Sequence, residues 1–310
     1  DVNTLESDDE VIQQHLDQIF PALYKRLFSL VPTWRWLKTP ADRRLERSVR
    51  QVNTAIAGFI AQARERIKAD PARRARPPNL LESMIVAAAE GGRGRHDVIS
   101  DREIAGNVLT MLLAGEDTTA NTLAWMIWLL HANPAALARA QDEVRAVAGD
   151  TASFTPERMA ALPWLEACAH ETMRLKPVAP FQVIEALRET EVAGIRVPPG
   201  TSVWCLMRGD TLEARHFPDP QAFKPQRWLN DGESGAAASS ARRVSMPFGA
   251  GPRVCPGRHL ALLEIKIAMA MLLAHFDVVN VATPDGREPA EQMAFTMMPV
   301  GLRMQLRLRA

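Results

Sequence analysis

No apolar run in the 310 residues approaches the roughly 20 that a membrane-spanning helix needs, so no segment of this chain reads as a span. Charge of one sign is lacking too. Lys and Arg number 37 against 36 Asp and Glu, a formal net charge of +1, which excludes the overall field that gathers nucleic acid, although Arg is plentiful enough for local clusters. Cysteine is scarce. Cys168, Cys205 and Cys255 form neither an even disulfide framework nor a CxxC metal pattern, which points to a reducing compartment, taken as the cytoplasm. Seven histidines are scattered, and neither His216 nor His275 has a second His or carboxylate at metal-ligand spacing, so no zinc site is expected. The chain opens Asp1-Val2-Asn3-Thr4 without an initiator Met, a signal peptide or an anchor, and a missing beginning is the expectation.

What is there is ordinary for a globular protein: 47% hydrophobic and 24% charged residues, with length for one large core, read as a single domain over 1–310. From Glu10 to about Leu30, and from Pro40 to about Lys68, apolar residues recur at three- and four-residue spacing, as in Ile12, Leu16, Ile19, Phe20 and Leu23. Both are predicted to be amphipathic helices. The Pro- and Arg-rich stretch 70–78 separates them from a short helix near Leu80 to Ala89, and Gly91, Gly92 and Gly94 mark an exposed loop. A capping box, Ser100 to Glu103, opens a pattern without a breaker until Asn133-Pro134, predicting a helix of about 30 residues and roughly 45 Å. Pro134 and Pro163 suit the first turns of two more helices, running to about Val147 and to Lys176, where Pro177 stops the second.

Beyond Pro177 the texture changes to short β-branched pieces around Val183, Val192 to Val197 and Ser202 to Leu206, broken by Gly and Pro. Helical periodicity returns by Glu264 and lasts to about His275. The tail, Met293 to Thr296 and Leu302 to Leu308, alternates as a β-hairpin would around Pro299 and Gly301. The fold class is mainly α with small β-sheets.

The most informative stretch is Phe248-Gly249-Ala250-Gly251-Pro252-Arg253-Val254-Cys255-Pro256-Gly257. Its glycines and prolines shape an irregular backbone able to approach a flat ligand closely. The helix that starts near Gly257 turns free N–H groups and its positive end toward the sulfur, which favours thiolate. The stretch resembles the haem-binding signature of the cytochrome P450 family, Phe-x-x-Gly-x-Arg-x-Cys-x-Gly, at every fixed position. The resemblance implies that Cys255 is the axial ligand of a haem b iron (iron protoporphyrin IX), that Phe248 packs beside it, and that Arg253 pairs with a propionate. Gly249 and Gly257 belong to the same cradle.

Three further segments are similar to the family's. Glu171 and Arg174 fit its Glu-x-x-Arg motif, although their spacing alone equally describes a surface ion pair of about 0.2–0.5 kcal/mol. Phe223-Lys224-Pro225-Gln226-Arg227-Trp228 resembles the segment whose arginine, here Arg227, completes a network with that pair. Ala114-Gly115-Glu116-Asp117-Thr118-Thr119 is similar to the oxygen-activation motif: Ala114 lets the helix pass close to the haem, Thr118 disturbs the local helix bonding and opens a groove, and Asp117 and Thr118 deliver protons. One departure stands out. The strand after Pro177 often carries a propionate-binding arginine in the family, and here it reads Val178-Ala179-Pro180-Phe181-Gln182-Val183, which suggests that 181–184 line the substrate pocket instead.

The resemblance implies the fold of a bacterial-type member lacking its N-terminal portion. It further implies a monooxygenase that activates O2 to hydroxylate or epoxidise an apolar small molecule (a fatty acid, terpenoid, steroid or polyketide) with electrons from a ferredoxin, flavodoxin or flavoprotein reductase. Met111, Phe181, Val183 and Met297 are the expected pocket residues. Arg242, Arg243, Arg258 and Lys266 are read as a basic face for an acidic electron donor. The alternatives are a peroxide-using peroxygenase, a non-catalytic haem sensor and a fragment that holds no haem.

Overall fold

The computed structural model describes residues 11–29, 31–91, 99–147, 154–229 and 241–309. The chain divides into two compact units, Asp1–Glu116 and Asp117–Ala310, with the boundary inside one long helix.

The first unit is helical: α1 (Val11–Leu27), α2 (Pro40–Ala69), α3 (Pro71–Ala75), α4 (Leu80–Gly91) and the first half of α5 (Asp101–Ala132). Thr39 starts α2 because its hydroxyl accepts from the Asp42 N–H while the Asp42 carboxylate accepts from the Thr39 N–H, and Pro40 supplies a preset φ. Its buried stripe, Leu45, Val52, Ile56, Ile60 and Ala63, packs with Ile19 and Phe20 of α1, Ile85 and Ala88 of α4 and Ile104 of α5. The stretch 70–78, expected only to separate helices, holds α3: the Asp70 carboxylate accepts from the Ala72 N–H at 3.0 Å and Pro71 takes the first position. Gly91 closes α4, and the loop expected at Gly92 and Gly94 lies outside the described residues. The predicted capping box opens α5, with Glu103 accepting from the Ser100 N–H at 2.7 Å.

The second unit gathers the rest of α5 with α6 (Pro134–Val147), α7 (Pro156–Ala160), α8 (Pro163–Leu175), α9 (Arg208–Thr211), α10 (residues 241–245) and α11 (Arg258–His275). Its core joins Met126 and Leu130 of α5, Val144 of α6, Leu165 and Cys168 of α8 and Ile265, Met269 and Leu273 of α11. Every residue of α8 from Trp164 to Leu175 except Glu166 and His170 is buried, so its polar groups must find partners inside the protein.

Four two-stranded antiparallel sheets flank these helices: β1 (Phe181–Glu185) with β4 (Ser202–Leu206), β2 (Thr190–Val192) with β3 (Ile195–Val197), β5 (Phe276–Ala282) with β8 (Arg303–Leu308), and β6 (Glu291–Met293) with β7 (Met297–Pro299). Ala193 and Gly194 both have positive φ, the two-residue turn that matches strand twist. The single terminal hairpin expected around Pro299 and Gly301 does not form. Met293 pairs with Met297 across a turn at 294–296, and Gly301, at φ +71, lets the chain leave for β5. The run Phe276-Asp277-Val278-Val279, directly at the end of α11, offers 303–308 a longer β-branched partner than 293–296 does.

Candidate active site

Cys255 sits half-buried on a loop that three left-handed residues fold back on itself: Met246 (φ +36), Gly249 (φ +71) and Gly251 (φ +67). The Cys255 N–H donates to the Phe248 carbonyl at 2.8 Å, and the Gly249 N–H to that of Met246 at 2.8 Å. Gly257 caps α11 with no side-chain partner, and a Cβ built on it would lie 3.8 Å from Cys255 Sγ, so the sulfur rests over the start of that helix. Gly249 is confined by its positive φ, while the Gln182 side chain of β1 lies in ordinary contact, 3.6 Å from where a Cβ would stand.

Glu171 and Arg174 of α8 are both fully buried and joined by two hydrogen bonds of 2.8 Å. The bland expectation of a surface pair is thereby overturned. Arg174 spends its remaining N–H groups on the carbonyls of Thr211, Pro220 and Ala222, so all five of its donors are used. Glu171 in turn accepts from the Lys224 N–H (2.9 Å), Arg227 Nε (3.2 Å) and Trp228 Nε1 (2.8 Å). Arg227 also donates to the Asp219 carbonyl at 2.9 Å. The predicted three-residue network is therefore present. Two members escaped the sequence reading: Trp228, although it lay within the quoted segment, and His170, which stacks on Trp228 at 5.1 Å. Burial pushes the His170 imidazole down to about 4, and its Nδ1 is buried without a hydrogen-bond partner.

On α5, Asp117 and Thr118 are half-buried and the helix runs unbroken through them. The Thr122 hydroxyl donates to the Thr118 carbonyl at 2.7 Å, one turn further on. Met111 and Ala114 belong to the first unit. Phe181 lies against Trp204 of the paired strand at 5.1 Å, Val183 is 37% exposed, and Met297 is partly buried in β7. Arg253 is exposed on a 3-10 turn, Gly251–Arg253. The proposed basic face loses Lys266, which is buried against Glu166 at 2.7 Å, while Arg242, Arg243 and Arg258 are exposed and Arg242 also donates to the Trp228 carbonyl at 3.2 Å.

Among the described residues no group of His, Cys, Asp or Glu is placed to hold a bare metal ion. A lone sulfur on a glycine-kinked loop fits instead a metal that brings its other ligands with it, as haem iron does. No helix of the described residues is long and apolar enough to cross a membrane.

Comparison with known proteins agrees. The profile of the family Cytochrome P450 matches residues 2–306, and the chain belongs to that family. It is 36% identical over 224 residues to cytochrome P450 monooxygenase ABA2 of Pyricularia oryzae (strain Y34), covering 71% of this chain and 52% of that protein. To the mitochondrial 25-hydroxyvitamin D-1 alpha hydroxylase of Mus musculus it is 34% identical, covering 64% of this chain and 38% of the relative. The chain thus spans about half the length of the curated relatives it matches. The solved cytochrome P450DA heme domain superposes with a TM-score of 0.74 at 22% identity, over 97% of this chain and 61% of its own, and CYP102L1 with 0.76 at 23%, over 96% and 65%. The fold is the cytochrome P450 fold.

Proposed function

We propose that the 310 residues act as one haem domain of a monooxygenase, which inserts one atom of O2 into an apolar organic substrate with electrons from a ferredoxin, flavodoxin or flavoprotein reductase. The observation that carries this reading is the setting of Cys255, a half-buried residue whose sulfur lies over a helix start on a glycine-kinked loop. Relatives named as a monooxygenase and a hydroxylase support the reaction class.

In this reading Cys255 holds the iron of haem b, Gly249 and Gly257 leave room for the ring, Phe248 packs beside the sulfur, and Arg253 pairs with a propionate. When bound, the cofactor supplies the redox and oxygen chemistry, and a thiolate ligand favours cleavage of the O–O bond. Thr118 holds a proton at its hydroxyl and Asp117 resupplies it. Phe181, Val183 and Met297 present apolar surface that selects and orients the substrate. Arg243 of α10 and Arg258 at the start of α11, both exposed, give an acidic donor its docking charge. We read the compartment as the cytoplasm, since none of the three cysteines is paired.

Turnover under isotopically labelled O2 tests the proposal, using a surrogate ferredoxin and reductase with a fatty acid, a terpenoid and a steroid as probes. One labelled oxygen atom per product molecule is expected. Product formed only when peroxide is added, or none from any probe in haem-loaded protein, would overturn the reading.

A further inference from the structure

Three residues beyond Thr118, Asn121 donates through Nδ2 to the hydroxyl of Thr296 at 2.8 Å, joining α5 to the turn between β6 and β7. One turn further, Trp125 donates through Nε1 to the Met297 carbonyl at 3.2 Å. Thr118, Asn121 and Trp125 stand at i, i+3 and i+7, one stripe of the helix. The turn 294–297 is therefore seated on the stripe that begins at Thr118, about 4.5 Å along the axis from it at Asn121. Thr296 is 3% exposed and Trp125 fully buried, so water does not compete for either bond.

The hairpin has other anchors. Lys176 donates to Glu291 at 2.7 Å and lies over the rings of Trp125 and Trp128, Arg208 bonds the same carboxylate, and the Met297 N–H donates to the Val178 carbonyl at 2.9 Å. These fix the base of the hairpin and the Met297 backbone. The Asn121 amide holds the turn by its one polar side chain, Thr296, next to half-exposed Phe295 and to Met297.

We propose that Asn121 is a positioning residue that sets substrate specificity. It seats the Thr296 turn on α5 and so fixes how Phe295 and Met297 face the substrate, narrowing the choice among apolar ligands by shape. The proposal rests on the reading above that Met297 borders the substrate pocket. It predicts a loss of discrimination without a loss of fold, because the Lys176, Arg208 and Val178 anchors survive when Asn121 is changed.

The experiment compares haem-loaded wild type, Asn121→Leu and Asn121→Asp. Asp accepts a hydrogen bond from the Thr296 hydroxyl and so serves as the conservative rescue, whereas Leu keeps the volume without the bond. Hydrogen exchange read on a peptide covering 294–298 should rise about tenfold in Asn121→Leu, with 303–308 unchanged, and return in Asn121→Asp. Titration with imidazole and 4-phenylimidazole, read by the Soret shift of nitrogen ligation, should change the ratio of the two Kd values at least fivefold in Asn121→Leu, with imidazole itself within twofold. Unchanged exchange at 294–298, or faster exchange with an unchanged ratio, would overturn the proposal. Wild type that shows no nitrogen-ligation shift instead defeats the haem reading, and the specificity proposal with it, while the exchange data still decide whether the tether exists.

Discussion

Arg174 and Glu171, three residues apart on α8, share two hydrogen bonds of 2.8 Å with neither side chain exposed to solvent. Two charges are stable there only because every donor of the guanidinium and both carboxylate oxygens are bonded. Truncating one partner leaves the other charged and unpaired, at about 3–5 kcal/mol. Arg174→Ala and Glu171→Ala should each lower unfolding stability by that much in urea and lose haem during gel filtration. Arg174→Lys should fall between, since an ammonium has three donors where five are used.

Gly249→Ala should destabilise the protein by about 1–2 kcal/mol, because φ +71 is a left-handed conformation. Gln182→Ala in the same chain should not relieve it, because the strain is in the backbone. Gly106→Ala is the control: within α5 and facing open space, it should stabilise by about 1 kcal/mol in the same denaturant series.

His170 gives a pH signature. Its folded-state value, about 4, lies below the ordinary imidazole value, so the unfolded chain binds the proton first as pH falls. Stability from this residue is complete above about 6.5 and is lost on descent toward 4, amounting to about 2 kcal/mol by pH 5. His170→Phe, which keeps a ring against Trp228, should remove that much of the pH 7 to pH 5 difference in urea midpoint. An equal decline in variant and wild type would show that other groups carry it.

The elements that could be read from sequence are those whose ends are fixed locally. Thr39 with Asp42, Ser100 with Glu103, Pro134 and Pro163 each start a helix using residues within one turn, and the predicted bounds agree with the structure to within a few residues. Strand pairing was not local in this sense. β8 finds β5 across 20 intervening residues, and a terminal hairpin looked equally good from alternation alone. Burial was illegible for the same reason: Glu171 with Arg174 has the spacing of any surface pair, and Lys266 reads as a solvated cation until Glu166 is placed beside it. The tie from Asn121 to Thr296 spans 175 positions and leaves no pattern in the chain.

If Thr118 serves the proposed relay, Thr118→Ala should leave haem content and ligand affinity near wild type while diverting reducing equivalents into hydrogen peroxide, because it deletes the hydroxyl that would hold the proton. Asp117→Asn should slow turnover instead. The check is product formed per NAD(P)H consumed, with peroxide assayed alongside. Wild-type coupling in Thr118→Ala would remove that residue from the relay.

The difference spectrum of the ferrous protein under carbon monoxide tests the role of Cys255 most directly, since the Soret position reports the atom opposite the gas. The account predicts the red-shifted band of thiolate ligation in wild type and in Cys205→Ser, and its disappearance in Cys255→Ser. A wild-type band at the position of nitrogen-ligated haem, or an unchanged band in Cys255→Ser, would contradict it.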